Sequence, residues 1–148
     1  MRIRLIKNPA DHDFIFRLVK DEILPHATAV RRREVDMYWT RAHMRKRLRA
    51  GRTWVAVKQG RSVGLVHAVV QSQAVWVDLL AVLRSEQGSG IGEKLLKRVF
   101  QYASYKKQKT VQVAVDGGNT RAMRFYEKHG FRIVDYIPEW DVHVMRRS

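Results

Sequence analysis

Cysteine is absent from this 148-residue chain. That excludes a disulfide framework, a zinc site built on thiolates and a cysteine nucleophile, and it fits a reducing compartment. The N-terminal Met1-Arg2-Ile3-Arg4 carries no apolar signal core. The most apolar stretch, Ala74 to Leu83, is broken by Asp78 and is about half the length of a membrane span. A cytoplasmic protein without a membrane partner is expected. Acidic residues are scarce: 14 Asp and Glu face 29 Lys and Arg, a net charge of +15 at pH 7. Such a field attracts polyanions, whether nucleic acid, an anionic membrane surface or a phosphate-rich small ligand, and says nothing of fold. The densest basic stretches are Arg31-Arg32-Arg33 and Arg41 to Arg52. The second holds Arg41, Arg45, Lys46, Arg47, Arg49 and Arg52 and no acid. It reads equally as a solvated helix face and as a binding surface. With 45% hydrophobic and 29% charged residues, the chain is expected to form one globular domain over residues 1–148.

Periodicity supplies the elements. Arg2 to Lys7 alternates and reads as a strand. Asn8-Pro9 reads as a helix start, with Asn as cap and Pro at the first helical position. That helix carries Phe14, Ile15, Leu18 and Val19 and stops near Pro25. A second helix is expected from about Glu34 to Ala50, with Gly51 as its stop. Thr53 to Lys58 and Ser62 to Gln71 form a hairpin, and Ala74 to Val82 reads as a central strand buried on both faces except at Asp78. A long helix follows, with Ile91, Leu95, Val99 and Ala103 on its apolar stripe. Thr110 to Val115 is a strand, Asn119 to His129 a short helix, and Phe131 to Ile137 with Asp141 to Met145 the last two strands. The order is βααβββαβαββ. The strand–helix–strand crossover makes Ala74–Val82 and Thr110–Val115 parallel.

Two runs carry chemistry. Gly88-Ser89-Gly90-Ile91-Gly92 lies between a buried strand and a helix. Backbone that bends there approaches a ligand closely, and amides at a helix start favour an anion. The loop is one residue short of the dinucleotide fingerprint, and Gly92-Glu93-Lys94 stands where the Walker pattern needs Gly-Lys-Ser/Thr. In the second run, Asn119 and Tyr126 are seven residues apart, two helical turns on one side. Cap and core packing remain an alternative reading for this pair.

Together these residues resemble the GNAT superfamily of acyl-CoA-dependent N-acyltransferases. Leu80-Ala81-Val82 followed by Gln87-Gly88-Ser89-Gly90-Ile91-Gly92 is similar to the family's Q/R-x-x-G-x-G/A motif. Asn119 through Phe131 is similar to its N-x-x-A-x-x-F-Y-E-K-x-G-F run. The resemblance implies a mixed α/β (α+β) fold: a mostly antiparallel sheet of six to seven strands, a splayed parallel pair and about four flanking helices. It implies acetyl-CoA as co-substrate and direct transfer of the acetyl group to a primary amine. Leu80, Ala81 and Val82 would pair with the pantetheine arm. Gln87, Gly88, Ser89, Gly90, Ile91 and Gly92 would hold the pyrophosphate. Asn119 would contact the arm, and Tyr126 would sit near the sulfur and protonate the leaving thiolate. A strand amide near Leu80 or Ala81 is the expected oxyanion donor.

For the base, Asp78 is the candidate, either transferring protons or serving as a structural acceptor or ion-pair partner. Trp76 stands where some members carry a glutamate. His67, on the neighbouring strand, is a weaker candidate. Arg84 replaces a frequent proline and adds a cation near the phosphate loop, and Arg121 and Arg124 read equally as cations in reach of CoA phosphates and as surface residues. None of the six histidines forms an i, i+4 pair, so no metal is expected. The basic stretch from Pro25 to Arg52, on the acceptor side, suggests an acceptor that is acidic overall or a protein amine near nucleic acid. Two other classes stay open: a nucleic-acid- or ribosome-associated protein of acyltransferase-like fold, and a CoA-binding sensor without turnover. A monomer or a homodimer is expected.

Overall fold

A computed structural model describes residues 1–26 and 39–148. Along the chain come β1 (Arg2–Leu5), α1 (His12–Leu18), a π-helical turn (Val19–Ile23) and a short 3-10 turn (Leu24–His26). Then come α2 (Arg41–Arg49), β2 (Arg52–Lys58), β3 (Arg61–Gln71) and β4 (Ala74–Val82). A 3-10 turn (Arg84–Glu86) leads to α3 (Ile91–Tyr105), β5 (Val111–Asp116), α4 (Thr120–Lys128), β6 (Arg132–Ile137) and β7 (Val142–Arg147). Among the described residues, the strands and α-helices follow the expected order. The seven strands form one sheet in the order β1-β2-β3-β4-β5-β7-β6. All neighbours are antiparallel except β4 and β5, which are parallel.

Helices cover both faces. On one face α3 and α4 bury Leu95, Leu96, Val99 and Tyr126 against Val66, Val75, Val77 and Val113. On the other, α1 and α2 bury Ile15, Leu18, Met44 and Leu48 against Val55, Leu65, Leu79 and Ala81. Val77 and Leu79 belong to opposite faces although they are two apart. The cause is a bulge: the β3–β4 register passes from His67↔Leu79 to Ala68↔Val77 and leaves Asp78 opposite no residue. One extra residue reverses which face each later side chain meets. This explains why β4 reads as apolar on both faces. The parallel ladder between β4 and β5 ends at the same place, since it holds only Val75↔Val111, Trp76↔Gln112 and Val77↔Val113.

Two helix starts differ from expectation. Asn8 does not cap α1. Asp11 stands at the cap position, and the chain first turns, with Asp11 N–H on the Lys7 carbonyl (3.0 Å). The Asp11 carboxylate holds that turn, accepting from Lys7 N–H (2.7 Å) and from both terminal nitrogens of Arg4 (2.8 and 3.0 Å). The second helix does not run unbroken from Glu34. Thr40 is extended, and its side chain accepts from His43 N–H (3.1 Å), so α2 starts at Arg41. Residues 34–38 of that expected helix, like Arg31-Arg32-Arg33, lie outside the described residues.

Gly51 joins α2 to β2 where backbones nearly touch. A Cβ there would lie 2.1 Å from the Ala68 carbonyl oxygen and 3.0 Å from His67 Cε1. Gly51→Ala is therefore expected to destabilise the fold by about 1–3 kcal/mol or more. Gly118→Ala, with nothing within 4 Å, should stay within about 0.5 kcal/mol. Urea midpoints of the two variants check this; equal midpoints would show that the corner yields.

Candidate active site

The start of α3 leaves donors unused. Gly88 and Gly90 have φ of 86° and 85°, and a Cβ at either would meet nothing within 4 Å. Ser89 Oγ donates to the Glu86 carbonyl (2.6 Å) and pins the loop. The first amide of α3 with a carbonyl partner is that of Lys94, which donates to Gly90 (3.2 Å). Among the described residues, the amides from Gly88 to Glu93 have no acceptor. Free amides at a helix start, on a loop bent by two left-handed glycines, form an anion cradle.

The cradle opens into a cavity of about 400 Å³. The structure gathers Leu80, Ala81, Val82, Gln87, Gly88, Gly90, Ile91, Gly92, Asn119 and Tyr126 around it, and Arg121 as well. Of the expected cofactor residues only Ser89 stays off its wall, and Arg124 does not line it either. The Gln87 side chain is turned inward: Nε2 donates to the Val82 carbonyl (3.0 Å) and to Glu22 Oε2 (3.3 Å). Its position ties the loop to β4 and to the π-helical turn.

Where β4 and β5 part, a second hollow of about 120 Å³ lies between them. Asp78, Leu80, Asn119 and Tyr126 reach it. Asn119 Oδ1 accepts from Ala122 N–H (3.1 Å), so the residue caps α4 while facing both cavities. Tyr126 is buried edge-on between Phe125 and Phe131, each at 5.2 Å between ring centres. Its hydroxyl makes no hydrogen bond to a described residue. Burial pushes its pKa above the ordinary phenol value, so the proton stays on near neutral pH. Cap and core packing are thus both seen, and neither takes these side chains away from the hollow.

Asp78 sits in an ion pair. Arg47 Nε donates to Oδ2 (2.8 Å) and Nη2 to Oδ1 (2.9 Å). His67 Nε2 lies 3.7 Å from Oδ2. On its far side, His67 Nδ1 is 2.7 Å from Thr53 Oγ1, its partner across the β2–β3 ladder. His67 is fully buried, and Nε2 has no hydrogen-bond partner. Burial holds the ring below the usual histidine pKa; Asp78 opposes that effect and Arg47 adds to it. Among the described residues, no group of three or more His, Asp or Glu is placed to hold a metal.

Several residues here were not legible in the sequence. Arg47 belongs to the basic run, yet it lies three residues after Met44 and one before Leu48, at the edge of the buried stripe of α2. That spacing was the available signal. Glu22, three residues before Pro25, and Asp116, at the end of β5, also line the hollow. With Asp78 they make its described wall acidic, and no Lys or Arg joins it. The basic composition of residues 25–52 pointed the other way. Composition reports a stretch of chain, whereas the wall is assembled from three separate elements.

A neutral buried histidine makes stability depend on pH. Its folded pKa is lowered, so its neutral form contributes fully above about 6.5, the unfolded value. The contribution falls as pH drops below that value, while only the unfolded chain takes up the proton. Wild type should therefore lose more stability between pH 8 and pH 5 than His67→Gln does. Urea midpoints at the two pH values test this; parallel losses would contradict it. Asp11, held below its usual pKa by Arg4, adds a loss at lower pH in both proteins.

Comparison with known proteins points to one family. A family model described as an acetyltransferase (GNAT) domain matches residues 49–133. The chain is 28% identical over 130 residues to the spore coat polysaccharide biosynthesis protein SpsD of Bacillus subtilis, covering 83% of this chain and 44% of that protein. It is 32% identical over 97 residues to N-acetylaspartate synthetase of Danio rerio, covering 64% and 34%. The chain thus spans less than half the length of these curated relatives. Among solved structures, the PaiA N-acetyltransferase from Thermoplasma acidophilum in complex with coenzyme A superposes with a TM-score of 0.80 at 14% identity, covering 100% of this chain and 99% of that one. The ribosomal-protein-S18-alanine N-acetyltransferase of Escherichia coli gives 0.76 at 15% identity, covering 99% and 92%.

Proposed function

Because the chain belongs to the GNAT acetyltransferase family, we propose that it moves an acetyl group from acetyl-CoA to a primary amine by direct transfer, with residues 1–148 acting as one catalytic unit. The observation that carries this reading is the row of unused amides from Gly88 to Glu93, at the mouth of a cavity that reaches Tyr126. The amides take the pyrophosphate. The edge of β4 at Leu80 to Val82, free of β5 beyond Val77, pairs with the pantetheine arm. Asn119 contacts the same arm from α4.

The chemistry has three needs, and each has a residue in reach of the hollow. An alkyl amine is mostly protonated near neutral pH. Asp78, directly or through water, takes that proton so that the neutral amine attacks. The oxyanion formed on the acetyl carbon receives an amide near Leu80 or Ala81. Tyr126, protonated and with no hydrogen bond to a described residue, gives its proton to the departing thiolate. The described wall of Glu22, Asp78 and Asp116 suits an incoming ammonium group. The net charge of +15 draws in the anionic CoA. We place the enzyme in the cytoplasm, as a monomer or a homodimer. Exposed Arg45, Lys46 and Arg49 on α2 leave room for an acceptor amine carried near nucleic acid.

CoA at about 100 times its Kd should raise Tm by about 5–10 °C. Ser89→Asp, which sets a carboxylate beside the cradle, should lose most of that shift. Thiol release from acetyl-CoA with a panel of amines and N-terminal peptides then tests turnover. Tyr126→Phe is expected to lower kcat about 10- to 10³-fold with KM for acetyl-CoA little changed. Unchanged kcat would remove Tyr126 from the mechanism. RNA giving a thermal shift where CoA gives none would overturn the acetyltransferase reading.

A further inference from the structure

A buried ring nitrogen without a partner asks for an explanation. His67 Nε2 is such an atom, and the carboxylate it faces is the one that the proposed mechanism uses as base. We propose that His67 is a positioning residue for Asp78, with Thr53 fixing its tautomer so that Nε2–H is aimed at Asp78 Oδ2. The inference rests on the acetyltransferase reading for its catalytic meaning, though not for its geometry.

The chain of contacts is short and runs across three strands. Thr53 on β2 and His67 on β3 are register partners, with Oγ1 and Nδ1 2.7 Å apart. When the hydroxyl donates to Nδ1, the ring carries its proton on Nε2. Asp78 comes into line because it is the bulged residue of β4, opposite no residue on β3. The bulge leaves Asp78 and Leu79 on the same face, and Asp78 meets Arg47 of α2 there. At 3.7 Å, the Nε2–Oδ2 separation is longer than a hydrogen bond and short enough to close by a small side-chain shift.

The groups facing the ring are few. Among the described residues, Arg47 from α2 and Asp78 from β4 are the charged ones, and the backbones of Arg47 and Arg52 also approach it. Arg47 and Asp78 offset each other in charge. A neutral His67 adds a donor without adding a charge, so the cluster does not repel an ammonium entering the hollow. Arg47 and His67 then grip the carboxylate from behind, and its remaining lone pairs face the hollow. When Asp78 accepts the amine proton, Arg47 and His67 keep theirs, and the proton remains on the carboxyl until solvent takes it.

The test has one arm that needs no acceptor. Nitrogen-15 spectra of labelled histidine in the full chain, with His67 assigned through His67→Gln, should show the Nε2–H tautomer at pH 7. Thr53→Val should turn that signal into a tautomer mixture. An Nδ1–H tautomer in wild type overturns the proposal. The second arm uses thiol release with whichever amine of the panel turns over fastest. His67→Leu should lower kcat about 10- to 100-fold while leaving KM for acetyl-CoA within about twofold. His67→Gln, whose amide keeps an N–H at that end, should recover most of the loss. In an Asp78→Asn background, His67→Leu should cost less than about twofold. An equal loss in both backgrounds would mark a merely structural histidine and overturn the proposal. If wild type turns over no amine, the acetyltransferase reading fails, and the tautomer spectra still decide the geometry.

Discussion

The architecture turns on a ladder that stops. Backbone N–H and C=O groups in a sheet interior must be paired, and β4 with β5 satisfies this for only three register pairs. At the fourth position the chain inserts Asp78, and the ladder to β5 ends. The proposed reaction centre lies just beyond. The strand edge, the hollow and the side chains of Asp78, Leu80 and Tyr126 are there because the sheet gives up its own hydrogen bonds at that point. The hydrophobic layers on either face, held by α3 with α4 and by α1 with α2, carry the cost of that gap. Seven strands and two apolar layers make a frame rigid enough to leave it open.

The same logic governs the loop before α3. Helix starts always leave amides unpaired, and most chains cover them with a side-chain cap. Here the cap position is Gly90, which has no side chain to offer, while Ser89 spends its hydroxyl on the Glu86 carbonyl. The donors are left for an outside acceptor. Gln87 adds a link, since its amide bridges β4 and Glu22. The cradle and the wall of the hollow are therefore joined through one side chain.

Much of the fold was legible because it rests on local signals. Strand β4 has the expected limits, α3 and α4 begin at their glycine and asparagine signals, and the parallel pair follows from a crossover of this length. The wall of the larger cavity was legible too, since its motifs are contiguous in sequence. What was hidden depends on pairing across distance. Arg47 looked like one more solvated cation, and only the packing of α2 turns it to Asp78. His67 looked like a lone strand histidine, and only the β2–β3 register gives it Thr53. The bulge at Asp78 leaves no mark in a window of residues, because it is defined by the strand opposite. Asn8-Pro9 misled for a related reason: the helix start is set by Asp11, whose partner Arg4 lies on β1.

The corner at Gly51 ties these distant pieces to one another. A missing methyl lets the end of α2 rest on the Ala68 carbonyl and against the His67 ring. That contact sets how far along the sheet α2 can slide, and with it how far the Arg47 guanidinium can extend. Any chain of this shape that carries a larger residue at the corner must carry its helix farther from the sheet. It would then need a longer or differently placed cation to meet the acid on β4.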